Sequence, residues 1–354
     1  MFTDFSKVLF VVFSFLAFSA QSQVCDSLQG SCCNTLDRSP AGIMLGHPHP
    51  GGTWMVSYRF MFMDMKGLLD EGKRVGNEQV FNSYFMAPTA MQMQMHMLMV
   101  MYGISPSFTI MAMANYQSQH MEMDMFSTAS HNHADMIGQV DHLGMHAATN
   151  GFSDTKLILV FKALDRIEHR ILTSLGLSLP TGSISKVGDS DAMFPGFRQA
   201  YMMQNGTGTV DIQPGVTYLY DLMDWSLGVQ AYYTIRPYKN KYNYRYGNEM
   251  ELDVWGARQI GSKLSFTLRS QNRLAGSISG SDNNLYLFAE PGTNPANYGG
   301  FRSNLLGGIN LHLPKAILPK QKFGVEVGGA VYQKGSGIQM ANKWCINANW
   351  TLSF

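Results

Sequence analysis

From Thr53 onward apolar and polar residues alternate in runs of about ten, the period of two that puts successive side chains on opposite faces of a β-strand. The last run is the plainest. Trp344, Ile346, Ala348, Trp350, Leu352 and Phe354 alternate with Lys343, Cys345, Asn347, Asn349, Thr351 and Ser353. One face suits lipid and the other water, with Trp344 and Phe354 placed for two aromatic girdles.

The runs are separated by short turns at Gly103 to Ser107, Asp165 to Glu168, Asp221 to Asp224, Ile260 to Lys263 and Pro314 to Gln321. Longer polar loops fall between them, near Gly67 to Tyr84, Met121 to Ser153, Ile184 to Thr207, Lys239 to Gly247, Ser281 to Gly300 and Gly335 to Asn342. These breaks predict an all-β fold, a transmembrane antiparallel up-and-down β-barrel of about 12 strands, with short periplasmic turns and long outer loops. A secreted β-sandwich explains neither that regularity nor the aromatic last residue.

The first 22 residues read as a secretory signal: Lys7, the apolar run Val8 to Phe18, then small residues through Ser22. A leader with cysteines and histidines follows over 23–52, on the periplasmic side, and the barrel occupies 53–354. Cys25, Cys32 and Cys33 lie in the leader and Cys345 in the last strand, so a disulfide and a thiolate metal site stay equally open. Past the signal no stretch reaches the roughly 18 apolar residues of a spanning helix. With 26 basic against 25 acidic groups there is no bias toward nucleic acid.

Composition adds one unusual element. Nineteen of the 26 methionines lie between Met44 and Met145. They follow the strand period, as Met55, Met61 and Met63 in the first strand, Met93, Met95, Met97 and Met99 in the second, and Met111 and Met113 in the third. In the first strand they share a face with Arg59, and in the third with Asn115 and Gln117. A charge in mid-strand belongs in the lumen, so the thioethers face inward. In the second strand Leu98, Val100 and Tyr102 mark the even side as the lipid face of its lower half, which leaves Gln92, Gln94 and His96 outside.

Thioether sulfur is a soft ligand for Cu(I) or Ag(I), and equally a flexible filler of irregular space. The outer loop after the third strand adds His120, Met121, Met123, His131, His133, His142 and His146, placed to collect ions at the mouth, and the leader adds His47 and His49. The leading expectation is a barrel that handles soft metal ions through the methionine wall, with Cu(I) as the one implied cofactor. The alternatives are a passive pore for small hydrophobic or aromatic molecules and a closed structural barrel with binding loops. The chain has no nucleophile elbow or paired-carboxylate motif, so no enzyme is expected. The tyrosines Tyr232, Tyr233, Tyr238, Tyr242, Tyr244 and Tyr246 are assigned to the outer girdle and its adjoining loop.

The run from His47-Pro48-His49-Pro50-Gly51-Gly52 through Trp54-Met55-Val56-Ser57-Tyr58-Arg59, together with Met91-Gln92-Met93-Gln94-Met95-His96-Met97, resembles methionine-rich bacterial outer-membrane proteins. These are similar to the phenol-degradation meta-pathway transporter family. Gly151-Phe152-Ser153-Asp154 and Leu175 to Ser183 resemble its recurrent segments. The resemblance implies an outer-membrane channel, with hydrophobic or aromatic uptake for the broader family and copper handling for methionine-rich members.

Overall fold

The computed structural model describes residues 37–46, 50–125, 143–187, 198–313 and 320–354. Twelve antiparallel strands close a barrel: β1 (Trp54–Asp70), β2 (Met86–Gly103), β3 (Phe108–Met125), β4 (Leu143–Phe152 and Thr155–Asp165), β5 (His169–Leu179) and β6 (Asp211–Asp221), then β7 (Trp225–Thr234), β8 (Glu249–Ile260), β9 (Leu264–Ala275), β10 (Gly300–Leu313), β11 (Lys320–Gly335) and β12 (Ile338–Ser353). Closure is between β1 and β12, paired from Met55 opposite Ser353 to Asp70 opposite Ile338 with the register shifted around Met65. A closed sheet leaves no unpaired edge, which is what lets strands cross a bilayer.

Two boundaries differ from those read in the sequence. The segment expected as an outer loop over Met121 to Ser153 is strand at both of its described ends, because β3 runs to Met125 and pairs with the upper piece of β4. The alternation there continues above the membrane, where polar outward residues hide it. The last outer connection is not Gly335 to Asn342 but a tight turn at Ser336-Gly337, where Gly337 takes a positive φ of 69°. Polar residues at the start of β12 look like loop in the sequence but belong to a strand, where Gln339 donates to the Gly299 and Ser336 carbonyls.

The outer face carries the expected belt. Leu98, Ile110, Leu159, Leu175, Leu227, Val254, Leu268, Ile309 and Val327 are all exposed on it. Aromatic pairs bound it: Trp54 with Tyr102, Phe108 with Phe161 and Phe323 with Trp350 at the short-turn end, Phe62 with Trp344 and Tyr116 with Phe152 toward the long loops. Trp54 and Phe62 are eight residues apart, ~26 Å along a strand at ~3.3 Å per residue. With strand tilt that is the order of the ~25 Å apolar band of outer-membrane barrels.

β4 is broken at Ser153-Asp154, and the break does structural work. The Asp154 carboxylate accepts hydrogen bonds from the Gly182 N–H at 2.9 Å and from the N–H and hydroxyl of Thr207, both at 2.8 Å. The two segments quoted above around Asp154 and Gly182 therefore meet, and Asp154 ties both to the connection that follows β5.

Candidate functional site

The lumen is built in rows. Adjacent strands place same-face residues side by side, and the register gives, from the short-turn end upward, Met55-Met101-Met111, Ser57-Met99-Met113, Arg59-Met97-Asn115, Met61-Met95-Gln117, Met63-Met93-Gln119 and Met65-Met91-Met121 across β1, β2 and β3. The inward direction read from Arg59, Asn115 and Gln117 is the observed one. Met55, Met99, Met101, Met111 and Met113 are buried, while Gln92, Gln94 and Leu98 are exposed outside.

The thioethers fall into two packed groups. The lower joins Met55, Met97, Met99, Met101, Met111 and Met113 to Leu45, Ile158, Val160, Leu172 and Tyr232. The upper joins Met65, Met86, Met91, Met121 and Met123 to Met203, Ala289 and Met340, from the outer connections and β12. Between them the β3 side of the wall turns polar, at Asn115, Gln117 and Gln119. Met61, Met63, Met93 and Met95 are only half buried at that level.

Leu45 belongs to the leader that the sequence puts on the periplasmic side. Residues 37–46 lie inside the barrel. Arg59 donates to the carbonyls of Gly42 at 3.1 Å and Ile43 at 2.7 Å, so the lumenal charge holds backbone. Lys322 Nζ binds the Asp37 carboxylate and the Ser39 carbonyl, each at 2.7 Å. Asn310 donates to the Arg38 and Ser39 carbonyls. Arg38 reaches Gln259 Oε1 at 2.7 Å and the Met223 carbonyl at 2.9 Å, on the short-turn rim. Ile43 packs on Trp255 and Leu219. Gly42 is needed for closeness: its N–H donates to Glu326, and a Cβ there would meet the Arg269 guanidinium and the Glu326 carboxylate.

Opposite the thioethers the wall is charged. Arg269 bridges Asp253 at 3.0 Å and Glu326 at 3.1 Å, with all three side chains at most 2 % exposed. Higher up, Arg273 pairs with Glu249, and Arg236 with Asp211 at 3.2 Å. Asp253 and Glu249 lie on β8 and Arg269 and Arg273 on the next strand, β9, whereas Glu326 comes from β11, and the local alternation does not announce which of them pair.

The outer connections form a cap. Tyr201, Tyr244, Ile278 and Leu285 make its buried cluster, with Tyr242, Tyr246 and Tyr298 against it. The tyrosine-rich run is therefore divided: Tyr242, Tyr244 and Tyr246 lie in the outer connection, as expected, packed in the cap, whereas Tyr232 points into the lumen. Glu290 is buried in the same cap, and one of its carboxylate oxygens, Oε2, makes no hydrogen bond among the described residues. Burial raises its pKa from 4.5 to about 7.

The neutral form is thus favoured in the folded cap. Its stability is fully present below about pH 4.5, the ordinary value, and falls as pH rises through about 7. Hydrogen-exchange protection across 281–299, taken relative to the intrinsic amide rate at each pH, is therefore expected to fall between pH 5 and 8, and Glu290→Gln to flatten that dependence. An unchanged pH profile in the glutamine variant would remove Glu290 as the cause.

The histidines and methionines expected together at the mouth do not meet. His120 and His146 point outward from β3 and β4, whereas Met121 and Met123 point inward and are buried. Strand alternation separates them, since β3 continues where a loop was expected. His47, His49, His131, His133 and His142 lie outside the described residues, as do Cys25, Cys32 and Cys33. Cys345 faces the lumen, buried, in register with Met63, which in turn pairs with Met93. The sequence reading did not place this thiol beside the thioethers, although its parity with Asn347 and Thr351 carries the signal.

No family model matches the chain, and no curated protein does. Among solved structures, an outer membrane channel from Pseudomonas putida F1 superposes with a TM-score of 0.56 at 11% identity, over 86% of this chain and 97% of that one. The transport unit of the autotransporter AIDA-I from Escherichia coli gives 0.46 at 8% identity, over 89% and 94%. The CymD monoaromatic hydrocarbon channel gives 0.38 at 7%, over 86% and 89%. The first likeness shows a shared barrel fold. With its closed sheet, apolar belt and paired girdles, the chain is a barrel of the bacterial outer membrane.

Proposed function

We propose that this barrel is a passive channel for small molecules with an apolar or aromatic body, stopped in the resting state by residues 37–46. The observation that carries the reading is the composition of the lower thioether group. Its methionines pack with Leu45, Ile158, Val160 and Leu172, as a pliable apolar lining does. The fold shared with a solved channel agrees with it. Unbranched thioethers re-pack around solutes of different shape at little loss, which branched side chains do less well.

Leucine at Met93, Met95, Met97, Met111 and Met113 keeps the lining apolar and is expected to preserve permeation of a neutral aromatic probe into proteoliposomes. Tryptophan at Met61 or Met95, half buried at mid-lumen, is expected to slow it sharply. Loss of permeation in the leucine variant would count against a simple apolar lining.

A second reading, Cu(I) or Ag(I) passage, has one specific observation in its favour. Cys345, Met63 and Met93 stand in one row on neighbouring strands, ~4.8 Å apart per strand, so three soft sulfur donors share one level. The same leucine variant separates the readings: silver binding that disappears with the thioethers, while the aromatic probe still permeates, would support a soft-ion site within the pore.

A further inference from the structure

The upper part of the β3–β4 pair carries a constellation on its outer face that the channel reading does not use. His120 and Glu122 lie two residues apart on one face of β3, and His146 on β4 stands directly opposite Glu122 in the register. The His120 and His146 rings stack with centroids 5.5 Å apart and planes 21° from parallel. One nitrogen from each ring and one Glu122 oxygen all lie within 4.8 Å of one another. All three side chains are exposed, and none is committed to a hydrogen bond or ion pair among the described residues.

We propose that His120, Glu122 and His146 form a surface site for a borderline divalent cation of the Zn(II) or Ni(II) class. Two imidazole nitrogens and a carboxylate are the donor set of a three-ligand zinc site with a coordination position left to solvent. Metal bonds of ~2.0–2.2 Å set neighbouring ligand atoms ~3.3–3.6 Å apart in a tetrahedron, so small rotamer changes close the present separation. A charge of −1 on the carboxylate and two neutral imidazoles favour a dication over a soft monocation, which the inward sulfurs suit better.

The alternation of the strand sorts the two chemistries: nitrogen and oxygen donors outside, sulfur donors inside. The site also lies beyond the apolar belt. Tyr116, paired with Phe152 in the upper girdle, is four residues below His120 on the same face, ~13 Å along the strand. The ligands therefore stand in the aqueous or headgroup layer, where an ion reaches them without crossing lipid.

Isothermal titration with Zn(II), and electron paramagnetic resonance with Cu(II) as a probe, test this on the folded full-length barrel. His47, His49, His131, His133 and His142 are first changed to glutamine and Cys25, Cys32 and Cys33 to serine, so that the other candidate ligands do not contribute. One Zn(II) per chain is expected, weakened about tenfold or more by His120→Gln, Glu122→Gln or His146→Gln singly, with Cu(II) spectra showing two nitrogen ligands that fall to one in either histidine variant. Affinity and spectra indifferent to all three substitutions would overturn the proposal. Because the three side chains are exposed, the variants are expected to keep the parent's resistance to dodecyl sulfate, so a lost site is not a lost fold.

Discussion

Arg269→Met is expected to destabilise the barrel by about 3–5 kcal/mol, because it leaves two buried carboxylates without their counter-charge. Arg269 holds Asp253 through one terminal nitrogen at 3.0 Å, and Glu326 through Nε at 3.1 Å and the other terminal nitrogen at 3.3 Å. Their side chains are 2 % and 0 % exposed. Methionine matches the length of the arginine stem and packs in this lumen, so the loss isolates charge from volume.

The companion variant removes all the charge at once: Asp253→Asn, Arg269→Met and Glu326→Gln together are expected to recover most of the stability. A buried ion network is costly to break singly but often nearly neutral to replace whole. Urea unfolding in lipid vesicles, followed by tryptophan fluorescence, reads both variants. A single variant as stable as the parent would mean that water or nearby Arg59 compensates the carboxylates, and the network would lose its structural role.

This network also marks where the sequence stopped being informative. Strand period and turn spacing belong to the local chain, and they were enough to predict the barrel, its twelve strands and the inward thioethers. Arg59 had already oriented β1 by the penalty of a charge in lipid. What alternation does not carry is the partner: Arg59 serves the Gly42 and Ile43 carbonyls, and Arg269 joins residues 16 and 57 positions away. Those contacts depend on side-chain reach across the folded lumen, which the local period does not encode.

The same limit explains the mouth. His120 and Met121 are adjacent in the sequence and were grouped as one ion-collecting loop, yet a strand sends them to opposite sides of the wall. The polar outward residues of upper β3 look like loop because no lipid is there to demand apolar ones. Gly42 was invisible for another reason. A glycine in a short segment looks like a turn residue, while its actual role is close approach to a guanidinium and a carboxylate.

The segment that Gly42 belongs to gives the second large effect: Arg59→Leu is expected to convert a resting, low-conductance barrel into one that conducts openly in planar bilayers. Arg59 is the only described residue that donates to both the Gly42 and Ile43 carbonyls. Charge-assisted hydrogen bonds are worth about 1.5–3 kcal/mol each, so losing two shifts the balance between seated and unseated segment by roughly 10²–10⁴. Leucine leaves the thioether wall intact and opens no cavity comparable to the segment itself.

Lys322→Met, which removes the ammonium shared by the Asp37 carboxylate and the Ser39 carbonyl at the rim, is expected to act in the same direction. Together they test whether the anchors act as a latch: each single change raises the open fraction, and the double variant adds to it because the two sites hold different residues of the segment. Cleavage by an externally added protease provides the independent readout, since an unseated segment exposes backbone that Arg59, Asn310 and Lys322 otherwise cover. Conductance that stays low while proteolysis increases would show that the segment leaves without opening a path. The upper thioether group and the tyrosine cap, sealed over Met203 and Ala289, would then be the barrier that remains.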